Sequence, residues 1–208
     1  MIIQSVNVGK PRAFEHTAPG VTGIFKEPQT GPVRVGALGL EDDAICDTAH
    51  HGGLDQAVYL YGVEDYSFWS NELGRLLAPG TFGENLTVAG LESAKINIGD
   101  RFTHGLLVLE VTSPRIPCRT FAARMDDKYF VKKFMDAGRP GIYCRVLGEG
   151  EIKAGDALTF LPFEGEQVSV LELNTSWSRS DLDPSELQRF LATPVHSGLR
   201  RKWEGLLA

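Results

Sequence analysis

Three cysteines, Cys46, Cys118 and Cys144, set the first limits on the chemistry open to this chain of 208 residues. They lie far apart, they are odd in number, and no CxxC pair occurs. Closed zinc sites and iron–sulfur clusters need several thiolates at short spacings, and a disulfide framework needs pairs. Any cysteine chemistry here uses one thiol at a time. The best-placed thiol is Cys118, in the run SPRIPCR (residues 113–119), where two prolines brace the backbone and Arg115 and Arg119 flank the sulfur. Cationic neighbours favour the thiolate, which is both the nucleophile and the soft ligand for heavier transition metals. The same residue can equally be a small buried hydrophobe. Cys46 sits in an acidic loop and Cys144 inside the strand-like run IYCRV, and both read as structural.

The densest polar cluster is EDDAICDTAHHGGLDQ (residues 41–56), with Asp42, Asp43, Asp47, His50, His51 and Asp55 in one glycine-containing loop. Adjacent side chains on extended backbone point to opposite sides, so at most one of His50 and His51 faces a given site, and they are not a helical metal pair. Gly52 and Gly53 allow backbone N–H groups to approach an anion or cofactor closely. A solvated loop with one capping histidine is the plainer alternative. A second loop, PGTFGENL (residues 79–86), brings Glu84 and Asn85 beside glycines. Asn85 can read the edge of a heterocycle or satisfy nearby backbone.

These loops need strands to hold them. Short apolar or β-branched runs recur at residues 2–8, 21–25, 33–35, 57–61, 86–88, 106–112, 142–147 and 157–161, with 23 Gly and 11 Pro in the chain to make the reversals. Apolar residues at spacings of three and four predict helices over residues 64–77, stopped by Pro79 and Gly80, and over residues 128–137, followed by Gly138. The expected core is therefore a mainly β sandwich or barrel over residues 1–162 with helices packed on it. After Pro162 the strand rhythm fades. Asp183, Pro184 and Glu186 supply an N-cap, a first helical residue and a capping box, and residues 197–207 form an amphipathic segment with Leu199, Trp203 and Leu206 or Leu207 on one face. VSVLEL (residues 168–173) fits strand or helix.

At ~150 residues per domain the length allows one domain with an appendage. Hydrophobic residues make up 42% and charged residues 23%, which excludes disorder as an explanation. A net charge of −6 argues against nonspecific duplex nucleic-acid binding. No apolar run approaches the ~20 residues of a membrane span. The N-terminus MIIQSVNVGK also lacks the pattern of a secretory signal, so the expectation is a cytoplasmic protein.

Taken in order, VNVGKP, GIFKEP, GLEDDAICDTAHHGGLDQAVYLY, TFGENLTVAGL, IGDRF, SPRIPC and GIYCRVL resemble the MOSC family, named for the C-terminal domain of molybdenum cofactor sulfurase. Within the family the chain resembles the YiiM-type members. The resemblance implies a MOSC β-barrel over residues 1–162 and a small all-α, three-helix C-terminal domain over residues 163–208. Two positions depart from the family pattern: Asp42-Asp43 stands where Gly-Asp is common, and Gln56 where Lys is common.

The resemblance also implies a pyranopterin molybdenum cofactor with Cys118 as thiolate ligand to the metal. Arg115, Arg119, Gly52 and Gly53 are the implied contacts for the pterin phosphate. By motif position His51, Asp55 and Asn85 are candidates to orient the pterin or to handle protons, with Asn85 taken as a pterin contact and His51 and Asp55 as catalytic groups beside Cys118. Similar proteins reduce N-hydroxylated compounds, hydroxylaminopurines included, to amines. With no cysteine cluster and no GxGxxG in the chain, the expected electron source is a separate reductase protein. It could dock on Lys128, Lys132 and Lys133, which are equally a solvated helix face. Two alternatives stand beside this reading: a non-catalytic carrier of the cofactor or of persulfide sulfur on Cys118, and an interaction module whose tail forms a homodimer.

Overall fold

The computed structural model describes residues 1–17, 20–177 and 179–208. Its strands are β1 (Ile2–Gly9), β2 (Arg12–Ala13), β3 (Val21–Thr22), β4 (Lys26–Pro28), β5 (Val33–Gly36), β6 (Gly39–Leu40), β7 (Val58–Gly62), β8 (Leu86–Ala89), β9 (Arg101–His104), β10 (Leu107–Pro114), β11 (Ile142–Gly148), β12 (Gly150–Ile152) and β13 (Thr159–Leu161). The helices are α1 (Val63–Leu73), α2 (Arg119–Arg124), α3 (Phe130–Asp136), α4 (Val170–Ser176), α5 (Pro184–Leu191) and α6 (Ser197–Leu207). None of the described helices is long and apolar enough to cross a membrane.

Eight strands form the main sheet in the order β13-β9-β10-β11-β7-β8-β1-β4. All neighbours are antiparallel except β7 and β8, which run parallel because α1 carries the chain back between them. The expected barrel is not what forms. The outer strands β13 and β4 do not pair, and β1 meets only the short segment before β13, through the bridge Ile2 to Ala157 and the hydrogen bonds of Ile3 N–H to the Asp156 carbonyl (2.9 Å), Gly155 N–H to the Ile3 carbonyl (2.8 Å) and Leu158 N–H to the Met1 carbonyl (2.9 Å). The physical reason is the turn that precedes this bridge. The Asp156 carboxylate accepts the Lys153 N–H at 2.9 Å and Gly155 adopts φ 93°, so the chain is bent where a closing strand would have to run straight.

β7 explains why the sheet is covered on both sides. All five of its residues are buried, and their alternation sends Val58 and Leu60 to one core and Tyr59 and Tyr61 to the other. The second core is aromatic. Tyr61 stacks on Phe82 at 4.5 Å, and Trp69, Phe121, Phe130 and Phe134 from α1, α2 and α3 close around them. The polar tips are satisfied internally: Trp69 Nε1 donates to Tyr61 Oη at 2.8 Å, Tyr61 Oη donates to the Arg139 carbonyl, and Tyr59 Oη donates to the Pro140 carbonyl.

The helices depart from expectation in three places. α1 stops at Leu73 rather than residue 77, because Gly74 takes a left-handed cap (φ 61°), and Leu76 beyond it is exposed. VSVLEL is neither purely strand nor purely helix. Ser169 bridges to Asn97 and then caps α4, accepting the Glu172 N–H at 3.0 Å. α2 forms although no periodicity announced it. The capping box of α5 is present as expected. In α6 the buried face is Leu199 and Trp203, whereas Leu206 and Leu207 are exposed.

The three C-terminal helices do not build a core of their own. Val170, Leu173, Leu187, Phe190, Leu199 and Trp203 belong to the same buried cluster as Val58, Leu60, Leu109 and Val111 of the sheet. Two outcomes follow from this shared core. A chain ending at residue 162 should lack cooperative thermal unfolding, and Phe190→Ala should cost ~3–5 kcal/mol in denaturant titration. A truncated chain that unfolds cooperatively at the parent's midpoint would show the core to be separable.

Candidate active site

Cys118 is the last non-helical residue before α2, and its own carbonyl accepts the first helical N–H, from Ala122. Phe121 anchors this short helix by inserting into the aromatic core, which holds the sulfur at the edge of an open cleft. The cleft encloses about 810 Å³, its open mouth included, between Thr17 and the segment 21–26, the loop 43–56 and the rings of Tyr59 and Tyr143.

Burial alone would push the thiol up. It is outweighed by the neighbouring His51 imidazole, the charge of Arg115 and the backbone at Phe121, and the thiol is drawn down to about 6. Cys144, buried beside Glu110, is pushed the opposite way, well above the ordinary thiol value. Cys46 lines the cleft but is not part of this cluster of donors.

Arg115 is 5% exposed. Its guanidinium donates to the Phe82 carbonyl and lies 4.2 Å from the centre of the Phe121 ring and 5.2 Å from that of Tyr59. Such a group cannot be neutralised by deprotonation, so it remains a fixed positive charge behind the sulfur.

The opposite wall carries a second buried cation that sequence reading missed. Lys26, at the start of β4, pairs with Asp43 at 2.5 Å, with side chains only 8% and 6% exposed. Asp43 also accepts the Gly9 N–H at 2.7 Å and Asn85 Nδ2 at 2.9 Å, which ties β1, β4 and β8 together beneath the cleft. Burial lowers the pKa of Lys26 while Asp43 opposes the shift. Asp42 makes this geometry possible. It adopts φ 63°, the left-handed region that Asp, Asn and Gly reach more readily than other residues, and so directs Asp43 inward. Gly23 allows the loop to lie close by, since a Cβ there would meet the Ala44 carbonyl oxygen at 1.8 Å. Glu84, also missed as a site group, is fully buried beneath this wall. Its Oε1 accepts from Tyr66, Gly80 and Thr87, and its Oε2 has no partner.

Of the residues read from sequence, Cys118, His51, Gly52, Asn85 and Arg115 converge on the cleft. Asn85 does so with its amide already engaged, accepting from the Tyr59 N–H at 3.0 Å and donating to Asp43. Gln56 also lines the cleft. Three do not converge. Gly53 and Arg119 are exposed at its rim, and Asp55 turns away to pair with Arg145 at 2.8 Å and to accept the Ser197 N–H at 2.7 Å. Side-chain direction in the one-turn 3-10 segment Leu54–Gln56 decides this, and residue spacing does not reveal it.

The fold and site define a sheet-centred α+β protein that presents one acidic thiol and two buried cations to an open cleft. The MOSC domain family model matches residues 47–159, and the chain belongs to this family. It is 39% identical over 169 residues to the uncharacterized protein YflK of Bacillus subtilis, covering 81% of this chain and 76% of that protein. It is 32% identical over 156 residues to a protein named "Reductase" from Gibberella moniliformis, a match spanning 73% of this chain but only 28% of that protein. The crystal structure of YiiM from Geobacillus stearothermophilus superposes with a TM-score of 0.82 at 29% identity, covering 100% of this chain and 99% of that one.

The arrangement around Cys118 sets its reactivity with pH. Alkylation of Cys118, followed by peptide mass spectrometry, should rise through an inflection near pH 6, and His51→Ala should move that inflection upward. An inflection in the parent near the ordinary thiol value of ~8.5 would contradict the geometry.

Proposed function

We propose that the protein is a molybdenum-cofactor-dependent reductase that converts N-hydroxylated compounds, hydroxylaminopurines among them, to amines. The observation that carries this reading is the acidic thiol of Cys118, held ionised in a cation-lined cleft by His51 and Arg115. One thiolate is too few donors to hold a metal by itself and suits a metal that brings sulfur ligands of its own. The reading is further supported by membership of the MOSC domain family and by the match to a protein named a reductase.

The residues present fit such a group. Cys118 would supply the protein's thiolate ligand. Arg115 balances the negative charge there, and Gly52, at φ 77° against the Ile45 side chain, exposes backbone beside His51. Lys26 is committed to Asp43 and contributes a screened positive field rather than a free ammonium. Gln56 offers an amide where the family commonly has a cation, so anion binding falls mainly on Arg115.

When bound, the pyranopterin molybdenum group would supply the two-electron reduction. The overall change is R–NHOH with two electrons and two protons to R–NH2 and water. His51 lines the cleft with Cys118 and would be the side chain that delivers a proton toward the leaving oxygen. Asp55 is not placed for proton transfer, since both of its oxygens are engaged outside the cleft. The electrons are proposed to come from a separate reductase protein in the cytoplasm.

Protein purified from cells able to make the cofactor should contain molybdenum and pterin at about one per chain and reduce a hydroxylaminopurine with an artificial electron donor. Cys118→Ala should lose the molybdenum and the activity. Cofactor bound without turnover would replace the reductase by a carrier. A parent protein with neither metal nor pterin would end both readings.

A further inference from the structure

We infer that Gln56 determines substrate specificity: its carboxamide reads a ring nitrogen beside the reacting exocyclic nitrogen of a planar N-hydroxylated heterocycle, and Tyr143 forms the wall against which that heterocycle lies. The inference rests on the proposed function for the kind of substrate and adds the residue that selects it.

Two carboxamides line the cleft, those of Asn85 and Gln56. Asn85 is spent, accepting from the Tyr59 N–H at 3.0 Å and donating to Asp43 at 2.9 Å. Other polar groups of the lining are committed as well, Lys26 and Asp43 to each other and the Tyr59 hydroxyl to the Pro140 carbonyl. Gln56 is half-buried, and among the described residues its side chain has no hydrogen-bond partner. The Tyr143 hydroxyl has none there either. Neither group is sealed inside the protein, so both are open to a ligand in the cleft.

Backbone contacts fix where these two residues stand. The Thr112 hydroxyl lies 2.5 Å from the Asp55 carbonyl and 3.1 Å from the Tyr143 carbonyl, which sets Gln56 beside Tyr143 on one wall. The Gln56 N–H donates to the Gly53 carbonyl at 3.2 Å, and Ala57, the next residue, is buried. The Tyr143 ring packs on Tyr59 with centroids 5.0 Å apart, where β11 pairs with β7. A ligand therefore meets a held aromatic wall and one adjustable amide, so little has to be ordered on binding.

A carboxamide offers an acceptor and a donor side by side. The matching edge carries an N–H near an unprotonated ring nitrogen, the pattern that an adenine-type ring presents to glutamine. An alkyl or phenyl hydroxylamine has no such ring nitrogen and leaves the Gln56 donor unpaired. Being neutral, the amide also brings no charge to a phosphate, which makes a heterocycle edge the better match.

The test is isothermal titration calorimetry on the full-length protein, purified from cells able to make the cofactor, with adenine, 1-deazaadenine and 7-deazaadenine as probes. Adenine is the amine that reduction of a hydroxylaminoadenine would release. One of the two deaza analogues should bind about fivefold more weakly than adenine, the effect of one neutral hydrogen bond. In Gln56→Leu adenine itself should weaken about tenfold and the deaza penalty should vanish. Gln56→Glu keeps the length and the acceptor but has no donor, so it too should erase the penalty. Tyr143→Leu should weaken all three probes alike. Equal binding of the three probes by the parent, a penalty that survives in both Gln56 variants, adenine binding unchanged in Tyr143→Leu, or no adenine binding at all would overturn the inference. Gln56-dependent adenine binding in a protein that holds no molybdenum and reduces no hydroxylaminopurine would leave the inference standing while the proposed function fell. Turnover of a hydroxylaminopurine by a parent that shows no deaza penalty would do the reverse.

Discussion

A thiolate half-sunk in protein is stable only beside positive charge that cannot leave, and Arg115 is that charge. Its guanidinium keeps its proton at any pH the protein survives, and it is enclosed by Phe121, Tyr59 and the Phe82 carbonyl rather than by water. Burying it there requires the aromatic core. Phe121 and Tyr59 close over it, and they pack in the aromatic core that α1, α2 and α3 build on the face of the sheet to which β7 sends Tyr59 and Tyr61. The polar tips of those tyrosines then need acceptors, which the Arg139 and Pro140 carbonyls supply just before β11. Much of the second core follows from holding one cation behind one sulfur.

The facing wall solves the same problem by pairing. A lysine as buried as Lys26 is costly to leave charged without a partner, and Asp43 is its partner. Asp43 in turn depends on the left-handed backbone of Asp42, on the Gly9 N–H and on Asn85. Asn85 therefore does for the fold what a pterin contact would ask of its amide, and its donor and acceptor are already spent on Asp43 and Tyr59. Between the two walls the sulfur of Cys118 faces the cleft, with the charge of Arg115 beside it.

Local signals in the sequence were readable where the physics is local. The short apolar run AVYLY placed β7, the Asp183–Glu186 box placed α5, and the Pro-braced Cys118 with Arg115 marked the thiolate. The Ser169–Glu172 spacing carried the same capping signal and resolves VSVLEL. What was not readable depends on contacts distant in sequence. Lys26 and Asp43 are paired by the approach of β4 to the loop, α2 has six residues and is held mainly by Phe121, and closure of the sheet turns on what β13 and β4 meet at its edges. Asp55 was legible as a residue of the polar loop, but its direction is set by Arg145 and Ser197, both of which lie far down the chain.

The central claim is that the sulfur of Cys118 is the protein's ligand to molybdenum. X-ray absorption at the molybdenum edge, on the purified protein and on Cys118→Ser, counts the sulfur ligands directly. The account predicts one sulfur fewer in Cys118→Ser. An unchanged sulfur count in that variant, with the metal still bound, would contradict it.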